Sequence, residues 1–190
     1  MDKITKSIKT QIHIFSRSEW VYWSFQKIRT SLQRYISDTF EANQIIENLW
    51  LGAIQSSCNR EELKKRNIET IVSAILGASA AFPFDFDYER AKLRDVENED
   101  IKQDIRRLLP KIHNDLINKR GVMVHCIMGV SRSATIVAAY LIKYNGMSAH
   151  QALDYIKNKR SQINPNEGYI KQLQEYEQEI LLEKNLKKDI

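Results

Sequence analysis

The chain has 190 residues, enough for one domain with a sizeable core, and its 43% hydrophobic and 28% charged residues are typical of globular proteins. Its two cysteines, Cys58 and Cys126, are too few for a disulfide-stapled secreted domain, and neither a secretory pattern nor an apolar run of membrane-spanning length is evident. The formal net charge of +5 suits an anionic substrate or surface, but it equally fits the ordinary solvation of a lysine-rich surface.

Residues 1–42 are predicted to form an N-terminal helical extension. Ser16 and Glu19 are spaced as in a helix capping box. An apolar stripe at helical spacing follows: Val21, Phe25, Ile28, Leu32 and Tyr35. Such a stripe indicates packing against the rest of the chain or formation of a homodimer. An anionic membrane surface is the alternative, because aromatic and basic residues flank the stripe: Trp20, Trp23, Lys27, Arg29 and Arg34.

The next part of the chain, up to residue 121, alternates predicted strands and helices. In chain order these are a strand at Ile45–Gly52, a short helix at Arg60–Arg66, a buried strand at Thr70–Ile75, a strand at Tyr88–Leu93 and an amphipathic helix at Asp100–Lys119. Pro110 is expected to kink the last of these helices, and Gly121 is expected to mark its end.

The remaining residues continue the alternation. The predicted elements are a strand at Val122–His125, a helix at Ser133–Tyr144, a helix opened by a Ser148–Gln151 capping box and running to Lys159, a turn at Asn164–Asn166, and a last helix from Glu167 that carries Tyr169, Leu173, Tyr176 and Ile180 on one face. The alternation predicts an α/β class. We expect one domain over residues 43–183 and a basic tail over 184–190.

The loop from Cys126 to Arg132 carries the clearest functional signal. A cysteine ends a strand, and an arginine follows six residues later at the start of a helix. A helix N-terminus presents free backbone N–H groups and a partial positive charge, so a loop wrapped there can surround a phosphate. Gly129 allows the tight turn, and Arg132 can grip two phosphoryl oxygens in a bidentate fork. The predicted phosphate-binding residues are Ile127, Met128, Gly129, Val130, Ser131 and Arg132.

The same environment favours a thiolate at Cys126. Cysteine thiols at helix N-termini can have pKa values as low as ~3.5–7.5, against ~8.5 for a free cysteine. Cys126 is therefore predicted to be ionised at neutral pH and to act as a nucleophile. Ser133 can donate a hydrogen bond to the sulfur when the sulfur later leaves. The alternative, a structural cysteine at the end of a strand, does not explain the combination of residues that surrounds it.

The run His-Cys-x-x-Gly-x-Ser-Arg-Ser resembles the active-site motif of the dual-specificity protein tyrosine phosphatases, of the small atypical type. The resemblance covers about residues 43–180; the first 42 residues have no counterpart in the minimal domain. It extends to four further segments: Leu49–Gly52, Leu63–Ile75, Arg160 with Asn164–Asn166, and Gln172–Leu173 with Tyr176–Glu177. It implies a tyrosine phosphatase-like fold with a central mixed, mostly parallel sheet flanked by helices.

The resemblance also implies a general acid on a loop roughly thirty residues before the cysteine. Asp95 lies 31 positions before Cys126, just after the strand predicted at Tyr88–Leu93, and is the expected acid. Four other carboxylates compete for this role: Glu97, Glu99, Asp100 and Asp104. Asp100 is instead expected to cap the following helix. His125 is expected to orient the loop rather than to transfer protons.

The implied reaction is hydrolysis of phosphotyrosine, phosphoserine and phosphothreonine through a phosphocysteine, without a metal or cofactor. The loop lacks the lysines that phosphoinositide phosphatases of this superfamily carry, which favours phosphorylated protein substrates. The alternatives are a phosphatase of phosphoinositides or other non-protein phosphates, and a phosphoprotein-binding module with little turnover. We expect a cytoplasmic location, with the nucleus or the membrane surface as alternatives, and no nucleic-acid partner.

Overall fold

The computed structural model describes residues 40–186, which form a five-stranded sheet with helices on both faces. The strands are β1 (Ala42–Ile46), β2 (Leu49–Ala53), β3 (Ile68–Ser73), β4 (Asp87–Arg90) and β5 (Gly121–Cys126). Their order across the sheet is β1-β2-β5-β3-β4. Only the β1–β2 pair is antiparallel. The predicted α/β fold with a mixed, mostly parallel sheet is therefore confirmed.

Six helices complete the described part of the chain: α1 (Ile54–Ser57), α2 (Arg60–Lys65), α3 (Lys102–Ile117), α4 (Arg132–Asn145), α5 (Ala149–Lys159) and α6 (Glu167–Leu186). Within residues 40–186 no helix has both the length and the apolarity that a membrane span requires. The extension predicted over residues 1–42, including its helix and its dimer or membrane roles, lies almost wholly outside the described residues.

The central strand β5 has both faces buried, as its continuous apolar sequence requires. Val122 and Val124 point into the larger core, which α3 to α6 cover, whereas Met123 points into a smaller core beneath α2. Helix α4 follows β5 after a five-residue loop, and each of its residues from 132 to 142 is buried. The strand and the helix that flank the candidate loop are thus the most enclosed elements of the fold.

The strand predicted at Ile45–Gly52 is wrong, because the segment is a hairpin of β1 and β2. Asn48 adopts a left-handed backbone conformation with φ of 61°, which turns the chain between the strands. Asparagine tolerates this conformation better than most residues, but without a neighbouring glycine the turn signal was weak. The reversal places β2, and not β1, beside β5.

Three further boundaries differ from the sequence-based expectations. Helix α3 runs through Pro110 and ends at Ile117, and Gly121 begins β5 instead of closing the helix. A Cβ at Gly121 would lie 2.4 Å from the carbonyl oxygen of Asn67, so this glycine permits close strand packing. Helix α6 continues to Leu186, so residues 184–186 belong to the helix and not to a tail. The Ser148–Gln151 capping box is confirmed.

Candidate active site

Cys126 lies at the end of β5, directly beneath the N-terminus of α4. Its Sγ atom accepts hydrogen bonds from the backbone N–H of Gly129 and from the Ser133 hydroxyl, each at 3.2 Å. The residue is 1% exposed. Arg132 is the first residue of α4, so the loop between Cys126 and Arg132 wraps around the free N–H groups of that helix.

The environment of the Cys126 sulfur stabilises its anion. Burial alone would raise the pKa of the thiol, because it penalises the charged form. The positive charge of Arg132 and hydrogen bonds from Ser133 and the backbone of Val130 outweigh burial, and the pKa falls below its ordinary value. The arrangement therefore favours a reactive thiolate.

Gly129 is required by the shape of the loop. Its φ of +67° lies in the left-handed region, which residues with a side chain rarely adopt. A Cβ at this position would also lie 2.6 Å from the carbonyl oxygen of Gly52 on β2. The loop thus turns sharply against the sheet.

A second arginine, Arg160, forms hydrogen bonds with the backbone of the loop. Arg160 is 3% exposed, and its Nε donates to the carbonyl oxygen of Gly129 at 2.9 Å while Nη2 donates to that of Met128 at 3.2 Å. Its Nη1 donates to Asn43 Oδ1 at 2.8 Å and to the carbonyl oxygen of Glu41 at 3.4 Å. Because Arg160 binds two carbonyls of the loop, it helps to fix the peptide planes of the loop.

Asp95 lies at the same loop. Its Oδ1 accepts hydrogen bonds from the Ser131 hydroxyl at 2.6 Å and from Asn166 Nδ2 at 3.0 Å, and its Oδ2 lies 3.5 Å from Nε of Arg132. The carboxylate is partly exposed, with 36% of its side-chain surface accessible. Asp95 therefore combines contact with the loop and access to solvent.

The four competing carboxylates have other surroundings. Glu97 is exposed on the segment after Asp95. The others are engaged away from the loop: Glu99 with Arg94 at 2.7 Å, Asp100 with the backbone N–H of Lys102 at 2.8 Å, and Asp104 with Arg107 at 2.9 Å. Of the five candidate acids, Asp95 is the one whose carboxylate contacts the loop.

Arg132 is buried with part of its hydrogen-bonding capacity unused. It is 4% exposed, and its Nη1 donates to the carbonyl oxygen of Leu93 at 3.4 Å. Its buried Nε has the ion-pair contact with Asp95 Oδ2 at 3.5 Å but forms no hydrogen bond within the described part of the chain. Buried polar groups are nearly always satisfied in proteins, so an unsatisfied guanidinium nitrogen at a helix N-terminus fits an anion-binding site.

The remaining loop side chains are mostly apolar. Ile127 is buried, Val130 is partly buried, and Met128 is 55% exposed. His125 is buried, its Nδ1 lies 3.4 Å from the carbonyl oxygen of Cys126, and desolvation lowers its pKa to about 4. A neutral imidazole beside the loop backbone is consistent with an orienting role. Cys58 is the second cysteine of the chain and is also buried.

Sequence reasoning did not assign site roles to three residues that the fold brings to the loop: Arg160, Asn43 and Asn166. They lie far from Cys126 along the chain, so neither spacing nor periodicity connects them with it. A signal was present for Arg160 and Asn166, which flank an Asn-Pro turn after a helix. Within residues 40–186 no group of three or more His, Cys, Asp or Glu side chains could hold a metal ion.

The sequence of this chain is similar to those of known proteins. The family model described as the dual specificity phosphatase catalytic domain matches residues 49–179. The chain is 32% identical over 148 residues to dual specificity protein phosphatase 1B of Arabidopsis thaliana, covering 78% of this chain and 89% of that protein. It is 31% identical over 177 residues to dual specificity protein phosphatase 1 of Arabidopsis thaliana, covering 93% and 84%.

Among solved structures, the fold is similar to that of the human tyrosine phosphatase-like serine/threonine/tyrosine-interacting protein. The TM-score is 0.71 with 31% sequence identity, and the alignment covers 75% of this chain and 99% of that one.

Proposed function

The chain belongs to the dual specificity phosphatase family and is a phosphatase, and from this premise we propose that it hydrolyses phosphotyrosine and phosphoserine or phosphothreonine in proteins through a phosphocysteine at Cys126. The observation that carries the proposal is the meeting of three groups at one loop. A hydrogen-bonded thiol at Cys126, a buried guanidinium at Arg132 and a carboxylate at Asp95 come together at the N-terminus of α4.

The phosphate would bind in the loop before any bond changes. The backbone N–H groups of residues 127–132 and the Arg132 guanidinium supply donors for the three non-bridging oxygens. The neutral His125 adds no charge of its own, so the positive field comes from Arg132 and the helix N-terminus. This field stabilises both the bound dianion and the thiolate that attacks it.

In the first step the Cys126 thiolate attacks phosphorus, an S–P bond forms, and the bond from phosphorus to the substrate oxygen breaks. Asp95 gives its proton to that oxygen as it leaves, so the departing group is a neutral hydroxyl. The Ser131 and Asn166 hydrogen bonds to Oδ1 would hold the carboxyl at the edge of the phosphate site. Such a group typically contributes ~10²–10⁴-fold to the rate.

In the second step water attacks the phosphocysteine. Asp95 now takes a proton from that water, the S–P bond breaks, and inorganic phosphate is released. The sulfur departs as a thiolate, and the Ser133 hydroxyl, which donates to Sγ at 3.2 Å, stabilises the charge. Every proton and electron pair is accounted for without a metal.

The surroundings of the loop support a protein substrate with a single phosphate at the site. The guanidinium of Arg160 is directed to loop carbonyls and to Asn43, so it does not face a second phosphate. The side chains of Ile127, Met128 and Val130 carry no charge. A phosphoinositide bearing additional ring phosphates would find fewer cationic partners in such a loop.

The experiment that tests this proposal combines a substrate panel with two variants. Purified protein is assayed on phosphotyrosine and phosphothreonine peptides and on phosphoinositide vesicles, and we expect turnover of the peptides to dominate. Cys126→Ser should abolish turnover while inorganic phosphate still binds, and Asp95→Asn should slow peptide turnover by ~10²-fold or more. Cys58→Ser is the matched control and should retain activity.

Four results would count against the proposal. Activity in Cys126→Ser would show that Cys126 is not the nucleophile. Full activity in Asp95→Asn would show that Asp95 is not the general acid. A preference for vesicles over peptides would leave the chemistry intact and replace the substrate class. Binding of phosphopeptides without turnover by the unaltered protein would favour the binding-module alternative.

A further inference from the structure

The segment that carries Asp95 lies against the first turns of α6. We call residues 94–101 the acid loop. Asp95 follows Leu93, whose carbonyl oxygen accepts a hydrogen bond from Arg132, so the loop leaves the sheet next to the phosphate site. We propose that Gln172 and Gly168 of α6 hold the acid loop where Asp95 can transfer a proton, which makes Gln172 a positioning residue. The inference rests on the proposed function, because it assigns the acid role to Asp95.

The side-chain amide of Gln172 forms two hydrogen bonds with the C-terminal end of the acid loop. Its Oε1 accepts a hydrogen bond from the backbone N–H of Ile101 at 3.0 Å, and its Nε2 donates to the carbonyl oxygen of Glu99 at 2.8 Å. A primary amide is the side-chain group that can both donate to a carbonyl and accept from an N–H in this way. Neither a carboxylate nor an alkyl group of the same size could replace both bonds.

Gly168 lets the middle of the acid loop approach the helix backbone. A Cβ at this position would lie 1.8 Å from the carbonyl oxygen of Glu97 and 2.6 Å from its carbonyl carbon. These are backbone atoms, so a side chain could be accommodated only if the loop moved. Gly168 is the second residue of α6, and the contact with Glu97 gives a structural reason for a glycine at this position.

The two contacts matter because proton transfer depends on distance. A general acid must come within about 2.6–3.2 Å of the leaving oxygen, and a misplacement of about 1 Å can cost ~10²-fold in rate. The carboxylate of Asp95 is itself held by Ser131 and Asn166, but those bonds can form only if the loop backbone brings it there. Leu93 anchors one side of Asp95, and Gln172 and Gly168 anchor the other.

The test compares leaving groups, because an acid matters most when the leaving oxygen is basic. Gln172→Leu and Gly168→Ala are assayed on a phosphotyrosine peptide and on an aryl phosphate with an acidic phenol. We expect kcat/KM for the peptide to fall about tenfold or more, as expected for loss of hydrogen bonds that order the loop. For the acidic phenol we expect a change of less than about twofold. The rate of Cys126 alkylation by iodoacetate should not change.

Two comparisons separate positioning from damage to the fold. Gln174→Leu changes an exposed glutamine on the same helix and should leave both substrates unaffected. Gly168→Ala introduces a better helix former, so a loss of peptide turnover in a folded Gly168→Ala protein cannot come from a weakened helix. Circular dichroism and urea unfolding confirm that each variant is folded.

The outcomes distinguish this inference from the proposed function. If Asp95→Asn is selectively impaired on the peptide but Gln172→Leu and Gly168→Ala are not, the positioning role is overturned and Asp95 remains the acid. Equal losses on both substrates, or a change in alkylation rate, also overturn it, since they indicate a general effect on the site. If Asp95→Asn shows no selectivity, the acid assignment itself fails, and the positioning role fails with it.

Discussion

Replacing Arg160 provides the most direct test of how the phosphate loop is held in place. All three nitrogens of its guanidinium donate hydrogen bonds. Nε donates to the carbonyl oxygen of Gly129 and Nη2 to that of Met128. Nη1 donates to Asn43 in β1 and to the carbonyl oxygen of Glu41, just before β1. Arg160→Met would keep most of the volume but remove the side-chain hydrogen bonds to the carbonyl oxygens of Gly129 and Met128. Each carbonyl left unsatisfied costs about 1–3 kcal/mol, so loss of both bonds should destabilise the loop conformation by about 2–6 kcal/mol.

This loss has two measurable forms. If only the loop loses its conformation, the inhibition constant of inorganic phosphate should rise at least about tenfold, because 1.4 kcal/mol corresponds to a factor of ten. If the whole domain is destabilised instead, the free energy of unfolding measured in urea should fall by roughly the same 2–6 kcal/mol. Arg160→Lys should lie between, since an ammonium keeps the charge but cannot reach all the acceptors in the same fork.

Lys159→Met is the matched control, because Lys159 is the exposed last residue of α5 and directly precedes Arg160. It should leave phosphate inhibition and unfolding within about 0.5 kcal/mol of the unaltered protein. A folded Arg160→Met protein with unchanged phosphate affinity and turnover would refute the reasoning. It would show that the loop keeps its shape through Gly129 and the helix N-terminus alone.

Two further predictions follow from the site. Ser133→Ala removes the hydroxyl that donates to Sγ at 3.2 Å, so breakdown of the phosphocysteine should slow by about tenfold or more. Stopped-flow assays of this variant should show a burst of product near one equivalent of enzyme. Absence of the burst would contradict a role for Ser133 in stabilising the departing thiolate. The pKa of His125 in the folded protein is about 4, below its usual 6.5, so the unfolded chain binds the extra proton between these values. The stability that depends on a neutral His125 is fully present above pH 6.5 and is lost as the pH falls toward 4, where the free energy of unfolding should be lower by about 3 kcal/mol. Urea unfolding at pH 7 and pH 4.5 should show most of this decrease. The His125→Asn variant should show a smaller decrease.

The central part of the site could be predicted from sequence because its determinants are local. The apolar strand, the cysteine, the glycine and the arginine lie within a few positions of one another, and each has a direct structural meaning there. Gly129, with its φ of +67°, is an example. The buried face of α6 was equally readable from its helical spacing, and Tyr169, Leu173, Tyr176 and Ile180 are all buried.

The support of the loop could not be predicted, because it comes from distant positions. Asn43 and Arg160 lie 117 residues apart, and only the folded sheet brings them together. The hairpin at Asn48 was missed for a related reason: the turn uses an asparagine without glycine or proline, so an apolar run appeared continuous. Asp95 was found through the family's spacing, and its contacts with Ser131 and Asn166 give that choice a geometric basis.

These contacts bear on what counts as the functional unit of this chain. The family model begins at residue 49, after β1, yet β1 provides Asn43 to Arg160, and Arg160 provides the bonds to Gly129 and Met128. The backbone of Glu41 joins the same set, because its carbonyl oxygen accepts from Ala53 and Arg160. A chain that lacked β1 would keep every residue that we propose to touch the phosphate, but it would lose an anchor of the loop that positions them. The edge strand is therefore part of the catalytic architecture, although no residue in it contributes to the chemistry.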